Sequence, residues 1–147
     1  MAGYSGTPLV RKLGIKCGTT LLVVNAPAEY PDLVARLPEG VRLLARAARD
    51  TDAMHVFATA RADLARRLKA LLPKLRQDGM IWVSWPKRAS KVPTDIAEDT
   101  IREIALPMGL VDVKVCAVDD TWSGLKLVIR KELREPKRGG RGAKGRG

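Results

Sequence analysis

A chain of 147 residues, 46% apolar and 29% charged, has the size and balance of one soluble globular domain able to bury roughly two-thirds of its unfolded surface. No apolar run approaches the length of a membrane span. The start, Met-Ala-Gly-Tyr-Ser-Gly-Thr-Pro, lacks the basic and apolar regions of a signal peptide, so a cytoplasmic location is the default expectation. The formal net charge of +11 is the strongest deviation, and it concentrates at one end: Arg130 to Gly147 holds eight Lys or Arg against two Glu.

In chain order, Thr7-Pro8-Leu9 with Gly14 behind it predicts a short helix, Thr as N-cap, Pro at N1 and Gly at C′. Thr20 to Val24 is a continuous apolar run, the pattern of a central parallel strand covered on both faces. Asn25-Ala26-Pro27 breaks it. Tyr30 to Leu37 suits about two helical turns with Leu33 and Leu37 on one face, and Pro38-Glu39-Gly40 marks a turn. Val41 to Ala45 suits a second strand, where Arg42 and Arg46 suggest a sheet edge, although the same residues could be helical. Ala53 to Thr59 predicts a third strand. Arg61 to Arg76 has a helical stripe of Leu64, Leu68, Leu71, Leu72 and Leu75 opposite Arg66, Arg67, Lys69 and Lys74, with Pro73 weakening the last turn.

Met80 to Trp85, after an Asp78-Gly79 break, predicts a fourth strand ended by Pro86. Asp95 and Glu98 make a capping-box-like start to a further helix, whose core face is Ala97, Ile101, Ile104 and Met108 and whose stop is Gly109. Val111 to Val118 alternates Val111, Val113, Val115 and Ala117 against polar residues, as a half-buried strand does. Leu125 to Lys131 alternates likewise, and the short stretch Asp119 to Gly124 predicts an antiparallel hairpin. Strands alternating with helices and ending in a hairpin predict an α/β protein: a single open, mostly parallel Rossmann-like sheet with helices on both faces. Residues 1–135 form that domain, and 136–147, without apolar periodicity, are expected to be a disordered basic Arg/Gly/Lys tail.

The order of elements resembles the class I methyltransferase fold, shortened by roughly one strand–helix unit. Leu13-Gly14-Ile15-Lys16 is similar to the approach to that fold's first strand. In that fold a glycine-rich turn after the first strand lets the backbone approach S-adenosylmethionine. Here the turn is Asn25-Ala26-Pro27-Ala28-Glu29, and the second strand ends at Arg46 with Asp50 nearby. No cofactor is therefore expected. A closer resemblance, over nearly the whole chain before the tail, is to a family of small bacterial proteins known as a domain of unknown function. It rests on Gly3 to Leu9, on Trp82-Val83-Ser84-Trp85-Pro86-Lys87 with Ser90 to Asp95, and on Val115 to Asp119 with Trp122 to Lys126. It implies a shared Rossmann-like fold and no catalytic residue.

Open α/β sheets place ligands beyond the carboxyl ends of their strands. Asn25 after the first strand, and Ser84, Lys87, Arg88, Ser90 and Lys91 around the end of the fourth, are the candidate ligand-binding residues, with Trp122. Lys87, Arg88 and Lys91 could hold a phosphate or carboxylate, or form a solvated basic loop. Trp82 and Trp85, three apart, face opposite sides. Trp122, in the hairpin loop, is expected to be exposed and could stack on a base. His55, the one histidine, is expected to be a satisfied core or edge residue, and Asp119 and Asp120 to cap a turn. Cys17 and Cys116 have no metal-ligand spacing and are expected as small core residues. No catalytic set, P-loop or metal site is expected.

Lys137, Arg138, Arg141, Lys144 and Arg146, spaced by glycine, suit phosphates without fixed geometry. The expected function is therefore a non-catalytic Rossmann-like protein that associates with nucleic acid, non-specifically and electrostatically, through its tail. The alternatives are a binder of a nucleotide or phosphate-bearing small molecule, a degenerate methyltransferase-like enzyme, or a scaffold acting through the edge strand near Val41.

Overall fold

The computed structural model describes residues 8–34 and 36–134. Six strands form one sheet: β1 Thr20–Val24, β2 Arg42–Leu44, β3 Thr51–Phe57, β4 Leu75–Pro86, β5 Leu110–Ala117 and β6 Trp122–Ile129. Their order is β2-β1-β3-β4-β6-β5. Pairing is parallel from β2 through β1 and β3 to β4 and antiparallel from β4 through β6 to β5, as strand–helix alternation followed by a hairpin requires.

The helices divide between the two faces. On one, α3 (Arg61–Leu71) and α4 (Glu98–Ala105) bury Leu64, Leu68, Leu71, Ile101, Ile104 and Ala105 against Met54, Val56, Ile81, Val83, Leu125 and Leu127. On the other, α1 (Leu9–Leu13) and α2 (Tyr30–Leu33) bring Leu9, Val10, Leu13 and Tyr30 against Leu21, Ala53, Phe57 and Trp82. The alternation of side chains along a strand sends Trp82 to the α1 face and Trp85 to the α3/α4 face, as their spacing predicts. The Trp82 indole N–H donates to the Leu13 carbonyl at 2.9 Å. That bond pins the end of α1, where Gly14 takes φ +76°, over the middle of the sheet.

Several boundaries differ from expectation. Pro8 directly precedes α1, while Thr7 lies outside the described residues. The segment after β1 forms one turn, closed by Val34 N–H donating to Tyr30 O; Pro38, unfavourable to a helical residue before it, follows too soon for a second. The helix α3 ends at Leu71, because Pro73 lacks the N–H a continuing helix needs, and a single tighter turn, Leu72–Lys74, leads on. Leu75 already belongs to β4. Asp78-Gly79 is thus inside the strand region, at an irregularity where Thr51 pairs with Leu75 and Ala53 with Met80. Gly79 is required there, since a Cβ would lie 2.7 Å from the Asp52 carbonyl oxygen.

Asp95 caps the other helix of its face: its carboxylate accepts the Arg61 N–H at 2.6 Å, at the start of α3. In α4 the Thr100 hydroxyl accepts the Ala97 N–H; Ala97 is exposed and Ala105 takes the core position instead. The alternation expected of β5 also fails. Val113 and Val115 are each 53% exposed, because pairing slips between Asp112 and Lys114 and the strand is the sheet's outer edge. Cys17 is exposed and Cys116 half-buried, neither in the fully buried core.

Candidate functional site

At the carboxyl end of β1, Asn25 has φ +58°, a left-handed conformation that Asn tolerates better than most residues with a Cβ. It is exposed. With its amide oxygen turned towards α3, it accepts from Arg67 Nη2 at 3.0 Å. Arg67 also donates to Asp63, four residues earlier on the helix, at 2.9 Å, and this guanidinium holds the Asp63 carboxyl below the usual carboxylate range.

At the end of β4 the chain makes a tight turn. Lys87 N–H donates to Thr121 O at 2.7 Å, tying the turn to the β5–β6 hairpin. The Ser90 hydroxyl donates to Lys87 O at 2.6 Å and accepts from Val92 N–H. Lys91 completes the turn at φ +62°. Neither Ser90 nor Ser84 is a free donor, contrary to expectation: Ser84 is fully buried, its Oγ 2.7 Å from His55 Nε2. The charged ends of Lys87, Arg88 and Lys91, by contrast, have no hydrogen bond or ion pair among the described residues. Of the carboxylates nearby, Asp95 accepts Arg61 N–H and Asp119, as expected of a turn-capping Asp, accepts the amides of Thr121 and Trp122, both at 2.8 Å, while Asp120 is exposed.

Trp122 corrects a second expectation. It is the first residue of β6, half-buried, with its ring edge-to-face on Phe57 at 5.0 Å. Phe57 in turn stacks on His55 at 4.3 Å, and Tyr30 stands edge-on to both. His55 is satisfied within the core, as expected, through a chain of hydrogen bonds: Tyr30 Oη lies 3.0 Å from Nδ1, opposite the contact to Ser84. Burial pushes the His55 pKa down to about 3 and raises that of Tyr30, so all three groups are neutral. A neutral imidazole has one donor and one acceptor nitrogen; the hydroxyls of Tyr30 and Ser84 therefore play opposite roles towards it. This trio was not foreseeable from local spacing, since its members are 25 and 29 residues apart.

Asn25 and the β4 turn thus flank β3, with Tyr30, His55, Phe57 and Trp122 filling the interior behind them. An open depression of about 380 Å³ lies instead at the amino ends of the strands, lined by Lys16, Cys17, Gly18, Thr19, Asp52, Arg76, Asp78 and Gly79. Its acids are engaged: Asp52 accepts from Thr20 N–H and Oγ1 and from Arg76, and Asp78 pairs with Arg76. Among the described residues no group of three His, Cys, Asp or Glu could hold a metal, and no helix is long and apolar enough to cross a membrane. The tail residues Lys137, Arg138, Arg141, Lys144 and Arg146 lie outside the described residues.

The fold is similar to that of solved S-adenosylmethionine-dependent methyltransferases. A SAM-dependent methyltransferase from Aquifex aeolicus is 14% identical, with a TM-score of 0.61 over 82% of this chain and 87% of that one. A putative type 11 methyltransferase from Sulfolobus solfataricus is 11% identical, with a TM-score of 0.55 over 92% and 98%. A chain in the complex between the Haloferax volcanii Trm112 methyltransferase activator and the putative methyltransferase is 11% identical, with a TM-score of 0.59 over 82% and 86%. No curated protein matches the sequence. Residues 45–131 match the family described as protein of unknown function (DUF3052), and the chain belongs to that family.

The cofactor implied by the fold does not fit these residues. The turn after β1 offers a side chain at Asn25 and, at Pro27, a residue without an amide donor. Pro27 O is taken by Tyr30 N–H, so α2 follows at once and its Tyr30 ring occupies the interior beneath.

Proposed function

We propose that this protein associates with nucleic acid without catalysis, holding the phosphodiester backbone through the glycine-spaced cations Lys137, Arg138, Arg141, Lys144 and Arg146 and through the turn that follows β4. The observation that supports this is the contrast at that turn. The charged ends of Lys87, Arg88 and Lys91 have no hydrogen bond or ion pair among the described residues, while Asp95 and Asp119 beside them are bound to backbone amides. Cations that form no ion pair at a strand end are available to phosphate oxygens, and the release of condensed counterions supplies the affinity. Such contacts position a backbone and read no sequence.

The test compares the full chain, a chain lacking residues 136–147, and the triple variant Lys87→Gln, Arg88→Gln, Lys91→Gln by fluorescence anisotropy on labelled single- and double-stranded oligonucleotides over a range of salt. Each lost phosphate contact should flatten the dependence of log K on log salt by about 0.9 for duplex. Identical binding and slopes for all three would refute the proposal. The competing reading, a nucleotide or other phosphate-bearing ligand seated between Asn25 and Lys91, has the filled interior against it. A thermal shift with nucleotides or S-adenosylmethionine decides, since a ligand at a hundred times its Kd stabilises by about 2.7 kcal/mol.

A further inference from the structure

All the ion pairs among the described residues use arginine. No described lysine forms an ion pair with a described acid, and four of them are gathered on one surface. Lys114 of β5 and Lys126 of β6 stand directly opposite one another in the antiparallel register. The Lys12 ammonium reaches over from α1 to the Ala117 carbonyl at 3.3 Å, and that of Lys114 approaches the Lys12 carbonyl at 3.5 Å. Lys16 follows just beyond the end of α1, at the rim of the depression that also holds Asp52 and Asp78, and its charge and that of Lys114 reinforce burial in lowering the pKa of Lys126. Cys116 lies among them, feeling Lys12 and Lys114.

Opposite positions on neighbouring strands bring side chains to roughly 5 Å at Cβ, and like charges there oppose folding. No ion pair to an acid among the described residues relieves this: Asp112, two residues before Lys114, is taken by Arg102. Gly124 is two residues from Lys126 on the same face, and it lets β6 lie against Trp82: a Cβ there would be 3.2 Å from the Trp82 ring. The strand pair that displays the lysines is thereby held against the centre of the sheet, so their spacing is set by the fold and not by a loop.

We propose that Lys12, Lys16, Lys114 and Lys126 form a second contact surface for a phosphodiester backbone, on the α1 side of the β5–β6 hairpin. The inference rests on the proposed association with nucleic acid and adds to it a surface on the folded body, separate from the tail and from the β4 turn. Nucleic acid suits this surface better than an acidic protein does. A protein interface centres on a large aromatic or aliphatic anchor in a desolvated pocket, whereas the centre here is Cys116 and Gly124, and the nearby indoles of Trp82 and Trp122 are turned into the interior. A backbone needs only positive charge at fixed spacing.

The experiment uses the full chain and the variant K114Q/K126Q, with K12Q/K16Q as a second variant on a different element, each titrated with single- and double-stranded oligonucleotides between 50 and 200 mM salt. Removing two phosphate contacts should flatten the salt slope on duplex by about 1.8. Over that fourfold rise in salt the full chain should then lose about ten-fold more affinity than the variant. The thermal midpoint of K114Q/K126Q should equal or exceed that of the parent, because a repulsion has been removed; loss of binding together with a raised midpoint is what a merely structural role would not produce. Unchanged slopes in both variants, with the slope still falling on deletion of 136–147, would overturn this surface and leave the proposed function standing. A full chain that binds no oligonucleotide would overturn both. Binding to polyglutamate but not to oligonucleotides, abolished in K114Q/K126Q, would reassign the surface to an acidic protein and overturn the partner proposed.

Discussion

The two faces of the sheet are built on different terms. Under α3 and α4 the interior is entirely apolar, and the helices are laced to their surroundings by arginine–acid pairs: Arg61 to Glu103, Arg66 and Arg67 to Asp63, and Arg102 to Glu98, Asp99 and Asp112. Under α1 and α2 the helices are single turns or little more, the interior includes the neutral Tyr30–His55–Ser84 chain, and the lysines at the surface form no ion pair among the described residues. The first face accounts for stability, since its groups answer one another. The second holds a titratable group neutral in its interior and carries lysines that form no ion pair among the described residues at its surface.

Four measurements would sharpen or break that contrast. The largest effect belongs to the apolar face: Leu68→Ala, at a fully buried position of α3, should cost about 2–5 kcal/mol in denaturant unfolding. A loss below 1 kcal/mol would mean that α3 is not the main closure of the core.

The polar face should reveal itself through pH. His55 titrates near pH 6.5 when unfolded and is pushed down to about 3 by burial. Below pH 6.5 the unfolded chain therefore takes up a proton that the folded chain refuses. Stability is full above that pH and falls by about 1.4 kcal/mol per unit as pH drops towards 3. Because the chain has one histidine, the decline between pH 6.5 and 5 is its own, ahead of the carboxylates. His55→Asn should unfold with nearly equal stability at pH 7 and pH 5; a decline as steep as the parent's would show that another group is responsible.

The smallest effects distinguish the two surfaces. Arg66→Ala removes an exposed pair on α3 and should change stability by less than about 0.5 kcal/mol. Lys126→Gln removes a repulsion and should raise stability by about 0.2–1 kcal/mol. A loss of stability in Lys126→Gln, measured by the same unfolding curves, would show that Lys126 has a stabilising partner after all.

How far the sequence anticipated this depends on whether the deciding neighbour is local. The strand β1 agrees with its apolar run residue for residue, because a strand covered on both faces needs no alternation to be seen. The opposite faces of Trp82 and Trp85 followed from spacing alone. The early start of β4 did not, since Arg76-Gln77-Asp78-Gly79 resembles a turn, and only the approach of Asp52 explains the glycine. In β5, alternation pointed Val113 and Val115 inward, but the edge position and the slipped register expose them. The burial of Ser84 was hidden for a similar reason: the partner that claims its hydroxyl, His55, comes from the neighbouring strand. The lysine surface was missed because Lys12, Lys16, Lys114 and Lys126 are unremarkable until β5, β6 and α1 are brought together.

The irregularity between β3 and β4 has a consequence for how the chain can change in length. From Thr51 to Ala53 one strand advances two residues, while from Leu75 to Met80 its neighbour advances five. The surplus, around Arg76 to Asp78, is exposed and stands outside the ladder, so a residue added or removed there leaves the parity of everything after Met80 intact. One residue inserted after Ile81 would do the opposite, exchanging the faces of all that follows: Trp82 would turn from Leu13 towards α3, and Ser84 would leave His55. Length is thus free to drift at one end of β4 and held to the single residue at the other.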